Sequence, residues 1–317
     1  MDAIELEGRT LARFSFDDQP EPDDRCMFHY TSADALASII DSGRFRFGQL
    51  RRMNDPRENR TWDYNIQSPA DISEAERPAL QAEFDQLVRS PVRIIAATVE
   101  DPRKVGDSDD ATFLRGFSRS RNWAQYADDH RGACLVLDRQ ALLRAVSAEA
   151  AGYAGATVHA ERVIYEDRQA TRLEAGPFIE VRRSPGDWST SAAAEAARWH
   201  AEHWRDLFFR KNLDWASERE YRIAVIGVAE SESFEVDLTD ALLAIALGVE
   251  FPPHHESVLD HRLNSGGFPY TVVGKMTYRN GAPDVTGARF GLEPRMFNDA
   301  SLMEQLEELR QIGHRSP

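Results

Sequence analysis

The chain is short of cysteine, of positive charge and of long apolar runs, and each shortage excludes a class of protein. Only Cys26 and Cys134 occur among 317 residues, so no disulfide framework is expected and a reducing cytosol fits best. No apolar run approaches the roughly 20 residues of a membrane-spanning helix. The acidic N-terminus also lacks a signal-peptide core. The composition therefore predicts a cytoplasmic protein without membrane attachment.

Negative charge exceeds positive charge, with 53 acidic residues against 38 basic ones and a net charge of −15. Broad binding to nucleic acid needs a positive surface that displaces counterions from phosphates, so this composition disfavours it, although a local basic patch remains compatible. Hydrophobic residues make up 42% and charged residues 29% of the chain. That balance is typical of a globular protein rather than a disordered one.

Sequence motifs for common ligands are also missing. No G-x-G-x-x-G follows a strand, and there is no Walker loop, C-x-x-C or H-E-x-x-H. His200 and His203 are three residues apart on a helix, and His254 and His255 are adjacent, but no matching carboxylate–histidine cluster accompanies them. We therefore expect no metal site. Ser118 lacks the flanking glycines of a nucleophile elbow, which disfavours a serine hydrolase.

Residues 28–60 hold an unusual density of polar and aromatic residues at the junctions between predicted elements. A compact apolar run predicts a strand that ends at residues 29–31. Thr31 or Ser32 can cap the helix that follows, and Gly43 ends that helix. A helix N-terminus beside the polar strand end suits a phosphate group.

The return from this helix is basic. Alternation at 44–47 predicts a half-buried strand with arginines on one side and phenylalanines on the other. Asp55, Pro56 and Glu58 then predict a second helix, as N-cap, first and third residues. Arginine forks suit a diphosphate or a nucleic-acid phosphate, although a solvated face explains several of these residues equally well. The arginines are Arg44, Arg46, Arg51, Arg52, Arg57 and Arg60.

A second stretch, 211–227, is the expected partner of 28–60 across a site. Strand alternation would place Glu218, Glu220 and Arg222 on one face. Two carboxylates on one face repel each other unless a cation lies between or beside them, and Arg222 or Lys211 can serve. One interpretation is a sheet edge with salt bridges. The other is a carboxylate on a rigid strand that holds a sugar hydroxyl and stabilises an oxocarbenium-like transition state.

Several further residues have both a structural and a functional interpretation. His29 can be a core histidine bonded to nearby backbone, or it can join Thr31 in offering polar groups to a ligand. Trp123 and Tyr126 lie three apart on a predicted helix, where they pack in the core or form a platform for ring stacking. Asn54 is explained as part of the helix start at Asp55.

The predicted elements do not alternate in a regular βα rhythm, so the fold class expected is α+β, with mixed or antiparallel sheets and flanking helices. Strands are predicted at 26–30, 93–99, 112–118, 132–138, 158–165, 219–228 and 270–278, and a terminal helix at 300–312. Residues 1–250 are expected to form a single domain. Residues 251–317 would then be an α/β extension packed on that domain.

Taken in order, the motifs HYTS, ALASII, NDPRE, GFSRS, NWAQYADDHRG, CLVLD, VIYED and K-N-L-D-W-A-S-E-R-E-Y-R-I resemble a large bacterial family of uncharacterised domains. The match spans 28–248. Its first motif, a strand ending in H-Y-T before a helix that ends in glycine, looks like the opening of DNA-targeting ADP-ribosyltransferase toxins and of the wider ADP-ribosyltransferase fold. The resemblance implies an ADP-ribosyltransferase-like core that uses NAD⁺ as co-substrate, without a metal.

In that fold a first-strand histidine binds NAD⁺, a second-strand residue supports the nicotinamide side, and a late-strand glutamate holds the nicotinamide ribose. The resemblance therefore implies His29 for the first role and Glu220, with Glu218 as competitor, for the last. Ser118 lies where a serine-rich second-strand motif would lie, but no S-T-S is present. The other residues implied in binding are Tyr30, Thr31, Arg51, Arg52, Asn54, Trp123, Tyr126, Lys211 and Arg222.

The function expected is that of an ADP-ribosyltransferase or NAD⁺ glycohydrolase, acting on a protein or nucleic-acid acceptor as a toxin or antiviral-defence effector with a neutralising partner protein. The alternative is an inactive nucleotide-sensing or interaction module on the same scaffold, and a weaker one is a metal-dependent nuclease. The transferase hypothesis requires His29 and Glu220 to converge on one cleft rather than to point to different faces of the fold.

Overall fold

A computed structural model describes residues 3–6, 9–12, 14, 16, 25–67, 73–101, 111–172, 180–182, 188–268 and 271–289. These residues form an α+β fold with a mixed, mostly antiparallel sheet and flanking helices, as the sequence predicted. The predicted helix at 300–312 lies outside the described residues. None of the helices within the described ranges is both long enough and apolar enough to cross a bilayer.

The described strands number seventeen. They are β1 (Ala3–Leu6), β2 (Arg9–Ala12), β3 (Cys26–Thr31), β4 (Arg44–Arg46), β5 (Gly48–Gln49), β6 (Asn65–Gln67), β7 (Val92–Thr98), β8 (Ala133–Asp138), β9 (Thr157–Arg162), β10 (Ile164–Tyr165), β11 (Glu180–Arg182), β12 (Arg210–Lys211), β13 (Glu220–Ile226), β14 (Glu235–Asp237), β15 (Leu242–Leu247), β16 (Val272–Arg279) and β17 (Ala282–Arg289).

Seven α-helices accompany them in the described chain. They are α1 (Ala33–Ser42), α2 (Pro56–Asn59), α3 (Arg77–Arg89), α4 (Ser120–Tyr126), α5 (Arg139–Ala150), α6 (Trp188–Phe208) and α7 (Pro253–Ser265). Four short 3₁₀ helices lie at Leu50–Arg52, Ala111–Leu114, Gly116–Ser118 and Leu213–Glu218.

The local signals of 28–60 fold largely as expected. Ser32, rather than Thr31, caps α1, because its side chain accepts from the amide of Ala35 while Thr31 completes β3. Gly43 ends α1 in the left-handed region, at a φ of 66°. Asp55 caps α2 through the amide of Arg57, with Pro56 in the first turn. The alternation at 44–47 is also confirmed, with both phenylalanines buried and both arginines exposed.

One large sheet positions the site. Its strands lie in the order β17-β16-β15-β8-β3-β7-β13-β9, and β5 also pairs with β7. Of these pairs only β15 with β16 is parallel. The strands β16 and β17 thus extend the sheet that the earlier strands form, while the boundary at 250 stays a prediction.

The sheet has a gap beside β7. The strands β3 and β7 share a single paired position, Phe28 with Thr98, whereas the other end of β7 pairs with β5 through Ile94 and Gly48. Between these two attachments, residues 95–97 pair with β13 on one side and border a cavity on the other. We call this place the sheet gap.

Apolar packing covers both faces of the sheet. One buried cluster joins the sheet to α1, α5 and α7 through residues such as Leu36, Leu142 and Leu263. On the opposite face α3 and α6 pack over β7 and β13, where Phe84 and Trp199 are fully buried. A third cluster places α4 and the loop before it over β3 and β8. The sheet gap therefore lies between well-packed layers.

The strand predicted at 112–118 is wrong. This segment folds into two 3₁₀ helices because Glu100 accepts from Arg115 Nε and from the amide of Gly116, each at 2.8 Å. A side chain at position 116 would also collide with the ring of Phe28, where an added Cβ would come within 2.0 Å. These long-range contacts determine the backbone conformation of the segment. The strand that follows α3 in the chain is β7, which belongs to the large sheet.

Candidate functional site

A cavity of about 340 Å³ opens at the sheet gap. Its walls come from β3, β4, β5, the 50–58 segment, β7, α4, β12 and the 213–220 segment. The lining residues are Phe28, His29, Tyr30, Phe45, Arg46, Gly48, Arg52, Met53, Asn54, Glu58, Ile94, Ile95, Ala96, Ala97, Thr98, Asn122, Tyr126, Lys211, Glu218 and Glu220. The two stretches that the sequence predicted to face each other, 28–60 and 211–227, thus contribute to one cavity.

His29 reaches across the sheet gap. Its Nδ1 lies 2.9 Å from the carbonyl oxygen of Ala96 on β7. A carbonyl only accepts, so Nδ1 carries the hydrogen. Burial lowers the pKa of His29, although the bond to Ala96 opposes that effect, so the ring is neutral at pH 7. In this tautomer Nε2 is a hydrogen-bond acceptor.

The late-strand carboxylates are placed by a change of backbone conformation at Arg219. Glu218 ends the 3₁₀ helix Leu213–Glu218, Arg219 takes the left-handed conformation at φ 49° and ψ 49°, and Glu220 begins β13. The prediction that Glu218 lies on the strand is therefore wrong. Of the three residues predicted to share one strand face, only Glu220 and Arg222 lie on β13 and share it. Arg222 Nε donates to Glu220 Oε1 at 2.5 Å.

Lys211 joins the two carboxylates. Its Nζ lies 2.9 Å from Oε2 of Glu218 and 2.9 Å from Oε2 of Glu220. The hydroxyl of Tyr126 donates to the other Glu218 oxygen at 2.7 Å. The ring of Trp215 also lies under the ammonium group, 4.8 Å from its centroid. The cation expected between the carboxylates is thus present, and it is almost fully buried.

Arg222 extends this network to a third carboxylate. Its Nη1 lies 2.6 Å from Oε1 of Glu58, which reaches the cavity from α2. We call Glu58, Lys211, Glu218, Glu220 and Arg222 the buried charge cluster. Each is under a tenth exposed, and the cluster carries a net charge of −1 when all five groups are ionised. A ligand or transition state with positive charge is favoured beside it.

The buried charge cluster separates the pKa values of its carboxyl groups. Burial alone would raise the pKa of Glu220, but Arg222 and Lys211 outweigh that effect and lower it to about 2. For Glu58 burial dominates and raises the pKa, because attraction to Arg222 is opposed by the charge of Glu220. Burial would lower the pKa of Lys211, but the three carboxylates raise it instead. Glu220 and Lys211 are therefore charged at pH 7.

Strand register places His29 and Glu220 on different faces of the sheet. Thr98 lies directly opposite both Glu220 and Phe28, so these three side chains share one face, while His29 alternates to the other. Two strand spacings, roughly 10 Å, separate β3 from β13. The requirement of the transferase hypothesis is therefore met only in part: the two side chains lie on different faces of the sheet, but both residues line the cavity at the sheet gap.

The structure brings some of the predicted site residues together and leaves others outside. Those that line the cavity are His29, Tyr30, Arg52, Asn54, Tyr126, Lys211, Glu218 and Glu220. Arg222 does not line the cavity but contacts Glu220, which does. Trp123 is a core residue that donates to the carbonyl of Phe117 and packs edge-on against Tyr30. Arg51 lies 3.7 Å from Glu230, and Thr31 and Ser118 are buried and do not line this cavity.

The sequence analysis did not assign three of the polar lining residues, Glu58, Thr98 and Asn122, to the site. Glu58 was explained as the third residue of a capped helix. Asn122 lies in the first turn of α4 and donates to Thr98 Oγ1 at 2.6 Å, which fixes both polar groups beside Glu220. The density of polar residues after the FSRS motif was a signal for Asn122. For Thr98, at the end of an apolar strand, the sequence offers none.

Comparison with known proteins gives one match. Residues 122–223 match a family model described as a protein of unknown function, DUF2971. This segment resembles an uncharacterised-domain family. It includes Tyr126, Lys211, Glu218, Glu220 and Arg222, whereas His29 and Glu58 lie before it. No curated protein and no solved structure matched the chain at a significant level.

Proposed function

We propose that this protein is an NAD⁺-dependent ADP-ribosyltransferase, or an NAD⁺ glycohydrolase when water is the acceptor. The observation that carries the proposal is that His29, on the first strand of the large sheet, and Glu220, at the start of a late strand, border one cavity. The resemblance to the transferase fold implies a histidine and a glutamate in those positions. The cavity volume also lies within the range of small-molecule sites.

Glu220 would hold the nicotinamide ribose. Its carboxylate would accept a hydrogen bond from the 2′-hydroxyl and stabilise positive charge on the sugar as nicotinamide leaves. Lys211 and Arg222 keep this carboxylate ionised and fix its position. The negative buried charge cluster would also attract the cationic nicotinamide ring. The interaction of Glu220 with the ribose strengthens as the oxocarbenium-like transition state forms, which is what catalysis requires, whereas attraction to the nicotinamide ring contributes to binding of NAD⁺.

The first strand and the basic segment would hold the rest of NAD⁺. The Nε2 of neutral His29 would accept a hydrogen bond from a ribose hydroxyl. Arg52 borders the cavity with an exposed side chain and would lie near the diphosphate. Arg46 also lines the cavity, but its Nε already donates to Glu235 Oε1 at 2.7 Å. Arg44 and Arg57 are engaged elsewhere, with Glu149 and the carbonyl of Arg168 respectively. Only part of the arginine cluster therefore belongs to this proposal.

Nicotinamide release from labelled NAD⁺ tests the proposal, with protein, DNA and RNA pools as acceptors. Glu220→Gln is expected to reduce release by about 10²–10³-fold, because it removes the charge that stabilises the transition state. Glu161→Gln is a suitable control, since Glu161 forms an exposed ion pair with Arg205 outside the cavity. Turnover that survives Glu220→Gln would reject Glu220, and Glu218→Gln would then be measured.

A toxin or antiviral-defence role belongs to the same proposal. NAD⁺ consumption or acceptor modification would harm the producing cell unless a partner protein neutralised it. Expression of the wild type is then expected to arrest growth, and expression of Glu220→Gln is not. Growth arrest by both proteins would separate toxicity from this chemistry.

A ligand-binding module without turnover is the second candidate. It is favoured by the observation that cations already engage both oxygens of Glu220. Calorimetric binding of NAD⁺ by the wild type, without nicotinamide release in any acceptor pool, would select this function over the transferase.

A further inference from the structure

Glu58 is a buried carboxyl group with one oxygen that has no partner in the described structure. The residue is 2% exposed, and in the described structure neither carboxyl oxygen has a partner in hydrogen-bond geometry. Oε1 lies 2.6 Å from Nη1 of Arg222, an ion pair of the same kind as that of Glu220 Oε2 with Lys211, so Oε2 is the oxygen without either kind of partner. A buried polar group without a hydrogen bond costs about 1–3 kcal/mol, more when charged, so its persistence calls for an explanation.

Helix capping does not explain this side chain. Asp55 already caps α2 through the amide of Arg57. Arg89 holds the main chain of Glu58 by donating to its carbonyl oxygen at 2.6 Å. The backbone is thus fixed from one side, and Glu58 is among the residues that line the cavity. A carboxyl group placed in this way is suited to accept a hydrogen bond or a proton from a molecule in the cavity.

Arg222 sets Glu58 next to Glu220. The guanidinium contacts Glu220 through Nε and Glu58 through Nη1, so the two carboxyl groups lie on either side of one planar group. Two neighbouring carboxyl groups with different environments can divide the work in glycosidic chemistry, one beside the sugar charge and one at the nucleophile.

We propose that Glu58 is the general base that takes the proton of the attacking hydroxyl group, on an acceptor or on water. The inference rests on the proposed function. The nucleophile oxygen bonds to C1′ of the nicotinamide ribose as the C1′–N bond breaks. The electron pair of the broken C1′–N bond stays on nicotinamide, which leaves as a neutral molecule. The hydroxyl proton moves to the Glu58 carboxylate. No further reactant is required.

The other acidic and basic groups of the cavity are less suited to this role. Both oxygens of Glu220 are engaged by cations, and both oxygens of Glu218 by Tyr126 and Lys211. His29 alternates to the other face of the sheet. Burial also raises the pKa of Glu58 above its ordinary value, towards the range in which a carboxylate is an effective base.

The pH dependence of nicotinamide release tests the role. Wild-type kcat is expected to fall as pH drops through the raised pKa of Glu58, because only the carboxylate accepts the proton. Glu58→Gln is expected to lower kcat by about 10²–10⁴-fold, to leave KM for NAD⁺ nearly unchanged and to remove this acid limb. The matched control is Glu100→Gln, since Glu100 is buried, paired with Arg115, raised in pKa by burial and outside the cavity.

Chemical rescue separates a base from a merely structural residue. Formate is expected to restore part of the kcat of Glu58→Ala, because a small carboxylate can replace a proton acceptor. If the wild type releases nicotinamide and Glu58→Gln shows the same rate and pH profile, the role of Glu58 is overturned and the proposed function is not. A loss that formate does not restore would also overturn the role of Glu58. Absence of release by the wild type would overturn the proposed function and this role together.

Discussion

The ammonium group of Lys211 lies between Glu218 and Glu220 and is shielded from water. Lys211→Met would leave two neighbouring carboxylates to repel each other in a medium of low dielectric constant. We expect it to lower the free energy of unfolding by about 3–5 kcal/mol, the usual cost of removing one partner from a buried ion pair. Urea denaturation at pH 7 measures this change.

Lys275→Met is the matched control, because Lys275 contacts Glu256 at 2.8 Å but its side chain is 34% exposed. Its cost should stay below about 1 kcal/mol. Adding Glu218→Gln to Lys211→Met should restore part of the lost stability, since it removes one of the repelling charges. Equal losses for Lys211→Met and Lys275→Met would show that the buried charge cluster does not depend on its shared cation.

At the residue scale the sequence predicts what local spacing determines. Strand alternation correctly places Arg222 beside Glu220, and repulsion between the carboxylates correctly predicts Lys211 as a cation. The place of Glu58 in the buried charge cluster could not be predicted, because its position in the first turn of a capped helix already accounts for it. Its contact with Arg222 joins residues that are far apart in the chain. Long-range pairing of charged groups leaves no mark in local periodicity.

Arg219 links the 3₁₀ helix that ends at Glu218 to β13, in a conformation that glycine adopts more readily than other residues. It also pairs with the buried Asp101 at 2.7 Å. Arg219→Gly and Arg219→Ala both remove this ion pair, but only glycine takes the left-handed conformation without strain. The glycine variant is therefore expected to be more stable by about 1 kcal/mol. Thermal or urea unfolding of the two proteins gives the difference.

The same pair of substitutions at Arg279 is the reverse comparison. Arg279 lies in β16 with an exposed side chain, and its φ is not positive. There the glycine variant should be the less stable one, by about 0.5–1 kcal/mol. If alanine were also preferred at position 219, the backbone turn would not be what sets the positions of Glu218 and Glu220.

At the scale of elements, the sequence identifies most strands and helices, because β-branched runs and caps are local. Val92–Thr98 and Ala133–Asp138 are buried strands as predicted, and Asp55 caps α2. The failures are at 112–118 and at Glu218, where short 3₁₀ helices replace strand. At 112–118 a distant carboxylate, Glu100, determines the backbone, and at Glu218 the left-handed Arg219 separates the helix from the strand.

At the scale of the whole molecule, the cavity exists because two strands attach to different parts of the same edge of β7. Phe28 pairs with Thr98 and Gly48 pairs with Ile94, and the sheet gap lies between them. The sequence predicts the strands but not this pairing, because the paired positions are 44 or more residues apart in the chain, counted from Gln49 to Arg93. The same gap lets His29 and Glu220 reach one cavity from different faces.

The position of the sheet gap predicts which strands gain the most protection from hydrogen exchange when a ligand binds. NAD⁺ at about 100 times its Kd should stabilise the protein by about 2.7 kcal/mol. Hydrogen exchange should slow most in β3 and β7, whose backbones line the cavity, while β16, which lies beyond β8 and β15 in the sheet, should show no more than the global effect. Because Glu58→Gln preserves the volume of the side chain, it should keep this pattern even as turnover is lost. Protection centred on β16 instead would place the ligand away from the sheet gap, and with it would remove the geometric basis for pairing His29 with Glu220.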